Sequence, residues 1–229
     1  MQFAKTLYNT LPTEDDLSHL LEISELVETR VRAHYTEEEI ARHAVGGWVG
    51  HKEILLYTIL RHEPADLVVE TGVAQGVSSW VILAALAANG RGRLISVDLP
   101  NRDPSGYVYN AAGDRDSVFT KAGLTPGWLV PEELRRRWDL KIGPAQDILP
   151  GLEARPDIFL HDSLHTYEHM SFELGWAWGR VPIGGIVGAD DIGWNRAFHD
   201  FVTQHRGEAL LLCNYGVGMV RRLPPAPRT

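Results

Sequence analysis

Three carboxylates and two histidines stand directly after two neighbouring apolar runs. The first run, Ile158-Phe159-Leu160, leads into His161-Asp162-Ser163-Leu164-His165-Thr166-Tyr167-Glu168. The second lies within Ile183 to Gly188 and leads into Ala189-Asp190-Asp191. Short apolar runs of this kind read as buried strands. Asp162 would then follow one strand, and Asp190 and Asp191 the next. Three carboxylates in one crevice repel each other unless a cation sits among them. Ligands that are all oxygen suit a hard divalent ion such as Mg²⁺. The same residues have a purely structural use: Asp162 could cap a helix starting near Thr166, and Asp190-Asp191 one starting near Trp194. Spacing leaves both readings open, and His165 could likewise serve as a cap or a structural hydrogen bond.

A second stretch with chemical character is Glu70-Thr71-Gly72-Val73-Ala74-Gln75-Gly76-Val77-Ser78-Ser79. Glycines there let the backbone turn sharply and let a ligand approach closely. A helix starting beyond Gly76 offers free N–H groups to a carboxylate or phosphate. Three residues separate Gly72 from Gly76, which is not the Gly-x-Gly-x-x-Gly of dinucleotide enzymes. Asp98 ends the next apolar run, 28 positions after Glu70. An acid at that place in a doubly wound fold accepts hydrogen bonds from ribose hydroxyls. Together the turn and Asp98 point to a nucleoside-type cofactor; alone, the turn is only a tight strand-to-helix connection.

The elements that must position these residues follow from periodicity. Residues 13 to about 62 read as helical, with Thr13 as a first cap and Thr36 and Glu39 at capping-box spacing. Gly46-Gly47-Trp48 breaks that pattern; His51 to Leu60 resumes it and Pro64 ends it. From Asp66 onward strands and helices alternate. Strands are expected at Leu67-Val69, Leu94-Val97, Leu140-Ile142, Ile158-Leu160, Gly185-Gly188, Ala209-Leu212 and Val217-Val220. Helices are expected at Val77-Ala88, Thr166-Trp178 and Trp194-His205. This alternation implies a doubly wound α/β fold with a mostly parallel seven-stranded sheet. The last two strands, joined by Asn214-Tyr215-Gly216, would form an antiparallel hairpin. The expected division is an N-terminal helical extension or cap (1–64), a core (65–222) with an inserted loop or lid (100–135), and a tail (223–229).

Composition narrows the partners. The chain has 229 residues and a formal net charge of -8, with no basic stripe for phosphates, so nucleic acid is not expected. Arg135-Arg136-Arg137, the one basic triple, reads as a solvated helix face. The single cysteine, Cys213, rules out an intrachain disulfide, fits a reducing cytoplasm and reads as a strand residue. No apolar run is long enough to span a bilayer, and the N-terminus has no signal-type apolar segment. Trp176 and Trp178 read as core, Trp48 as core or cofactor cover, and His199 and His205 as solvated.

The stretch Val68 to Ser79 resembles the first motif of class I methyltransferases that use S-adenosylmethionine (SAM). Leu94-Ile95-Ser96-Val97-Asp98 resembles their second. Gly143-Pro144-Ala145-Gln146-Asp147-Ile148-Leu149-Pro150 resembles the segment that lines the adenine, with Pro144 where an acid is frequent. The resemblance implies a Rossmann-like core with SAM held by Glu70, Thr71, Gly72, Gly76, Ser78, Asp98, Ala145 and Asp162. Asp162, His165, Tyr167, Asp190 and Asp191 are similar to the pattern of macrolide-sugar O-methyltransferases and the cephalosporin hydroxylase family. Leu164 departs from it, since an acid is frequent there. That likeness implies a divalent metal, Mg²⁺ foremost, bound by Asp162, Asp190 and Asp191, with His165 as general base. The implied reaction moves a methyl group to a hydroxyl of a small acceptor such as a sugar on a natural product. A SAM-fold binding partner without catalysis of its own is the alternative; a nicotinamide oxidoreductase is disfavoured by the missing third glycine. Homo-oligomer formation stays open.

Overall fold

The computed structural model describes residues 12–42, 48–99, 123–206, 209–214 and 216–224. Most of the expected insertion (100–122), the first eleven residues and the end of the tail lie outside them. Helix α1 (Glu14–His34) begins at a capping box: Thr13 Oγ1 accepts from the Asp16 amide and Asp16 Oδ2 from the Thr13 amide. Two otherwise orphaned amides are satisfied there. Helix α2 (Glu37–Arg42) starts at the second expected box, with Thr36 and Glu39 bonded reciprocally. Helix α3 (His51–His62) ends just before Pro64. Arg61 Nε donates to Asp16 Oδ1 at 2.8 Å, tying the end of α3 to the start of α1.

The alternating part runs β1 (Leu67–Thr71), α4 (Val77–Ala88), β2 (Arg93–Asp98), β3 (Trp138–Ile142), α5 (Ala145–Gly151), β4 (Ile158–His161), α6 (Tyr167–Trp178), β5 (Ile186–Ala189), α7 (Ala197–Gln204), β6 (Ala209–Asn214) and β7 (Val217–Arg222). One seven-stranded sheet has the order β3-β2-β1-β4-β5-β7-β6. Strands β1 to β5 pair in parallel, and β7 runs antiparallel to both β5 and β6. This is the expected doubly wound sheet with its terminal hairpin. The hairpin pairs inward through β7, so β6 becomes the edge.

Side chains alternate across the sheet because successive strand residues face opposite ways. Val68, Leu94, Ile158, Leu160 and Ile186 face a core shared with α1, α3 and α4. Val69, Ile95, Val97, Phe159 and Val187 face the other, shared with α5, α6 and α7. On α1, Leu20, Ile23, Val27 and Val31 recur every three or four residues and are buried in the first of these cores. Trp176 and Trp178 are buried in the second, as expected.

Three expectations shift. The final long helix starts at Ala197 rather than Trp194, because Asp191 to Trp194 forms a turn in which the Trp194 amide donates to the Asp191 carbonyl at 3.0 Å. Arg135-Arg136-Arg137 ends a 3₁₀ turn (Glu132–Arg137). There Arg135 stacks 5.2 Å over Trp138, and Arg137 donates to the Gly92 carbonyl at 3.0 Å. His205 lies 4.5 Å from the Trp178 ring and is half-buried rather than fully solvated. Among the described residues, no helix is long and apolar enough to cross a membrane.

Candidate functional site

The sheet order reverses between β1 and β4, and such a switch point opens a crevice at the C-terminal strand ends. Gly72 leaves β1 there with φ +81°, and a Cβ on it would lie 1.9 Å from the Asp162 carbonyl oxygen at the end of β4. Any side chain would therefore push the two strand ends apart. The turn closes at Gly76, φ +95°, and no side chain caps α4 behind it. A helix start of this kind can receive an anionic group. Asp98, at the end of β2, accepts from the amides of Val73 (3.0 Å) and Ala74 (2.8 Å) through Oδ2 and from Leu99 (2.7 Å) through Oδ1. Burial raises its pKa against these three bonds. A carboxylate has about four lone-pair positions, so a ribose hydroxyl still has an acceptor here.

Glu70, Thr71 and Ser78 lie beneath this turn. Glu70 is fully buried and accepts from Ser78 (3.1 Å), Ser96 (2.7 Å) and Ser79. Burial raises its pKa, and the three serine hydroxyls oppose the rise. Thr71 Oγ1 donates to Glu173 at 2.5 Å. As placed, these side chains brace the turn from below. Gln75 is braced from above by Tyr35 and Trp128, while the amides of Gly127 and Leu129 donate to Ala74 and Gln75. Arg30 of α1 donates to the Leu129 carbonyl at 2.7 Å and locks that strap in place. Ala145 is buried at the first turn of α5, behind Gly143, whose amide donates to the Asp98 carbonyl.

Across the crevice, the carboxylates do not cap helices. Thr166 caps α6 by accepting from the His169 amide, and Asn195 Oδ1 accepts from the Ala197 amide at the start of α7. Asp162 and Asp190 instead converge on Lys52, which rises from the first turn of α3. Lys52 Nζ lies 2.5 Å from Asp162 Oδ2, 2.8 Å from Asp190 Oδ2 and 3.6 Å from Glu53 Oε1. The three main partners are only partly buried, with side chains 15% (Lys52), 22% (Asp162) and 20% (Asp190) exposed. Burial by itself would lower the Lys52 pKa, but the charges of Asp162, Glu53 and Asp190 outweigh it and hold the ammonium well above its usual value. Asp162 is raised to about 7: burial pushes it up, Lys52 pulls it back and Asp190 adds to the rise.

A divalent ion does not fit among Asp162, Asp190 and Asp191 as they stand. The Lys52 ammonium fills the space between the first two. Asp191, at φ +49°, points its Oδ2 to within 3.9 Å of His165 Nε2 instead. Among the described residues no group of three or more His, Cys, Asp or Glu side chains is placed to hold a metal. This departs from the expected metal centre, and the physical reason is Lys52.

Behind His165 lies a closed polar knot. Glu173 is fully buried and is met by Thr71 Oγ1, His161 Nδ1 (2.6 Å), Ser163 Oγ (3.0 Å) and His169 Nε2 (2.7 Å). Burial alone would raise its pKa; the bonds and charges of His161 and His169 reverse this and bring it to about 2. The His161 and His165 rings meet edge to face at 5.2 Å. On its other side His165 faces Trp194 at 5.5 Å, and Trp194 is 51% exposed. Trp48, expected as core or as cofactor cover, is exposed rather than core.

The structure thus brings Gly72, Gly76, Asp98, Asp162, His165, Asp190 and Asp191 to neighbouring strand ends. Sequence reasoning missed Lys52, Glu53, His169 and Glu173. His169 and Glu173 have the i,i+4 spacing of a helix pair and were legible. Lys52 left only an indirect trace: an excess of carboxylates calls for a cation, and a lysine meets that need as well as a metal does.

The comparisons with known proteins agree with this fold. The family model described as a methyltransferase domain matches residues 69–192. The O-methyltransferase NovP is similar in structure, with 20% identity over 91% of this chain and 100% of that one, at a TM-score of 0.60. TomG from Streptomyces achromogenes, an O-methyltransferase of tomaymycin synthesis solved with SAM, shares 17% identity over 87% and 90% of the two chains, at 0.57. CalS11, a calicheamicin methyltransferase, shares 16% over 88% and 91%, at 0.54. Likeness at such identities is one of fold. No curated protein matches the sequence. The family match covers more than half of the chain and spans the turn after β1, Asp98, Asp162 and His165: the chain belongs to the methyltransferase-domain family.

Proposed function

We propose that the chain is a SAM-dependent O-methyltransferase acting on a hydroxyl of a small natural-product-type molecule, with a sugar as the acceptor. The observation that supports it is the meeting of two half-sites at one switch point. The bare Gly72–Gly76 turn with Asp98 lies on the β1–β2 side, and His165 with Asp162 and Asp190 on the β4–β5 side. Bound SAM supplies a methyl group on a sulfonium: the S–CH₃ bond breaks as the O–CH₃ bond forms, and the electron pair returns to sulfur. The turn and the uncapped start of α4 bind the methionine end. Asp98 accepts from the ribose, and Ala145 lines the adenine.

His165 takes the hydroxyl proton as the oxygen attacks. Acid–base help of this kind gives about 10² to 10⁴-fold. A solvent-exposed Trp194 beside it offers an apolar face to a ring of the acceptor. The rest of the acceleration comes from holding oxygen, carbon and sulfur in line. The solved relatives named as O-methyltransferases support oxygen as the acceptor atom. The single cysteine supports a reducing compartment such as the cytoplasm.

Isothermal titration of the purified chain with SAM tests the cofactor; no heat at millimolar SAM overturns the reading. Mass spectrometry of hydroxylated acceptors incubated with SAM tests the reaction, and a gain of one methyl on oxygen is the expected product.

A further inference from the structure

We propose that Lys52 is the built-in cation of the acceptor site: its ammonium stands in the place of a divalent metal between Asp162 and Asp190 and binds the acceptor oxygen directly. This rests on the methyltransferase reading of the same crevice.

Three observations carry it. Lys52 Nζ is within hydrogen-bond distance of one oxygen from each of two strand ends, at 2.5 and 2.8 Å. An ammonium has three N–H donors. Two go to Asp162 and Asp190, and Glu53 at 3.6 Å is too far for a hydrogen bond. The third is the donor assigned to the acceptor oxygen. Second, the lysine is delivered by a built element rather than by a loose side chain. It sits in the first turn of α3, where Glu53 Oε2 accepts from the Gly50 amide at 2.9 Å, and α3 is packed into the core through Leu56, Tyr57, Ile59 and Leu60. Third, Asp191, the remaining expected ligand, is turned toward His165. A hard divalent ion needs near-octahedral oxygen coordination at about 2.0 to 2.1 Å. It cannot share this space with an ammonium already in contact with both carboxylates.

The chemistry of the exchange is simple. A cation beside a hydroxyl stabilises the negative charge that develops as the proton leaves, and a fixed charge-assisted N–H···O bond does this without recruiting an ion. Lys52 also aims the oxygen, because both partners that hold it are anchored at strand ends.

The test uses Mn²⁺ as the probe, read by electron paramagnetic resonance on the full chain. The wild type is expected to show no saturable Mn²⁺ binding up to about 1 mM, and its methyl transfer to be unchanged by EDTA. Lys52→Met, which keeps the stem and removes the charge, is expected to bind Mn²⁺ at least about tenfold more tightly than wild type. Lys52→Arg is expected to stay metal-free. Saturable Mn²⁺ binding by the wild type, EDTA-sensitive turnover, or a folded Lys52→Met with no gain in Mn²⁺ affinity would each overturn the proposal. If Lys52→Met does not fold, the wild-type titration decides alone. SAM affinity measured in the same samples separates the two readings: its absence sinks the methyltransferase reading, whereas Mn²⁺ uptake with SAM affinity intact sinks only this one.

Discussion

Glu173 and Asp162 lie eleven positions apart at one end of the sheet, both are carboxylates drawn out of water, and their pKa values move in opposite directions. Glu173 falls to about 2, and Asp162 rises to about 7. Burial pushes both upward. The difference lies in the partners. Glu173 has four donors to itself, two of them imidazoles, and no exposure. Asp162 shares one ammonium with Asp190 and Glu53. A carboxylate whose every lone pair is answered is part of the architecture. One that is under-compensated and partly open has room for a further partner. On the proposed function, the molecule keeps a structural and a functional anion side by side, and they can be broken separately.

The largest effect should come from opening the closed cluster. Glu173→Ala leaves His161 and Thr71 with buried, unanswered polar atoms, while Ser163 and His169 keep only each other. Removing one partner of a buried charged network costs about 3 to 5 kcal/mol. Urea denaturation should show that loss, and a change under 1 kcal/mol, roughly the value of one ordinary hydrogen bond, would mean the cluster is not the buried network described here.

Next comes the open side. His165→Ala should lower turnover by about 10² to 10⁴-fold, the range for a general base, and cost stability only about the 1 kcal/mol typical of a point substitution, because its side chain is packed between His161 and Trp194. An equal fall in stability and activity would place His165 with the structural group instead.

The same contrast has a signature in pH. Glu173 is depressed, so its stabilisation is complete above its ordinary value of 4.5 and is lost as pH falls toward about 2. Asp162 is raised, so its charge costs stability progressively as pH climbs from 3.8 toward about 7. Asp162→Asn should thus compare more favourably with wild type at pH 8 than at pH 3, with the loss of one Lys52 partner as the opposing cost. Thermal melts at the two pH values check this; stabilisation at pH 3 alone would reverse the sign assigned to Asp162.

What was legible in the sequence follows from where each signal resides. Strand positions and most helix starts depend on local periodicity and caps such as Thr13 and Thr36, and these were readable; the strand order and its reversal between β1 and β4 depend on long-range pairing and came only with the structure. Asp98, Asp162 and Asp190 could be placed at strand ends because apolar runs mark the strands they follow. Lys52 could not be placed, because its partners lie 110 and 138 positions away and nothing local to Gly50-His51-Lys52-Glu53 shows which helix face turns toward β4. The inward packing of Arg135 and Arg137 escaped for the same reason: a basic triple looks solvated until Trp138 and Gly92 are seen beside it. Long-range ion pairs carry little one-dimensional trace, whereas periodic burial carries a great deal.

The smallest effect tests how far the open region extends. The Trp194 ring faces the His165 ring at 5.5 Å and leaves half of its own surface to solvent. If it is the platform for the acceptor, Trp194→Ala should raise KM for the acceptor by about tenfold, equivalent to about 1.4 kcal/mol. The value of kcat and the affinity for SAM should change little, because uniform binding is lost while His165 and the Gly72–Gly76 turn remain. Steady-state kinetics with the acceptor varied at saturating SAM separates the cases. A fall in kcat at constant KM would mean that Trp194 acts by holding the His165 ring, and the boundary between the open and closed regions would then run on the solvent side of His165 rather than behind it.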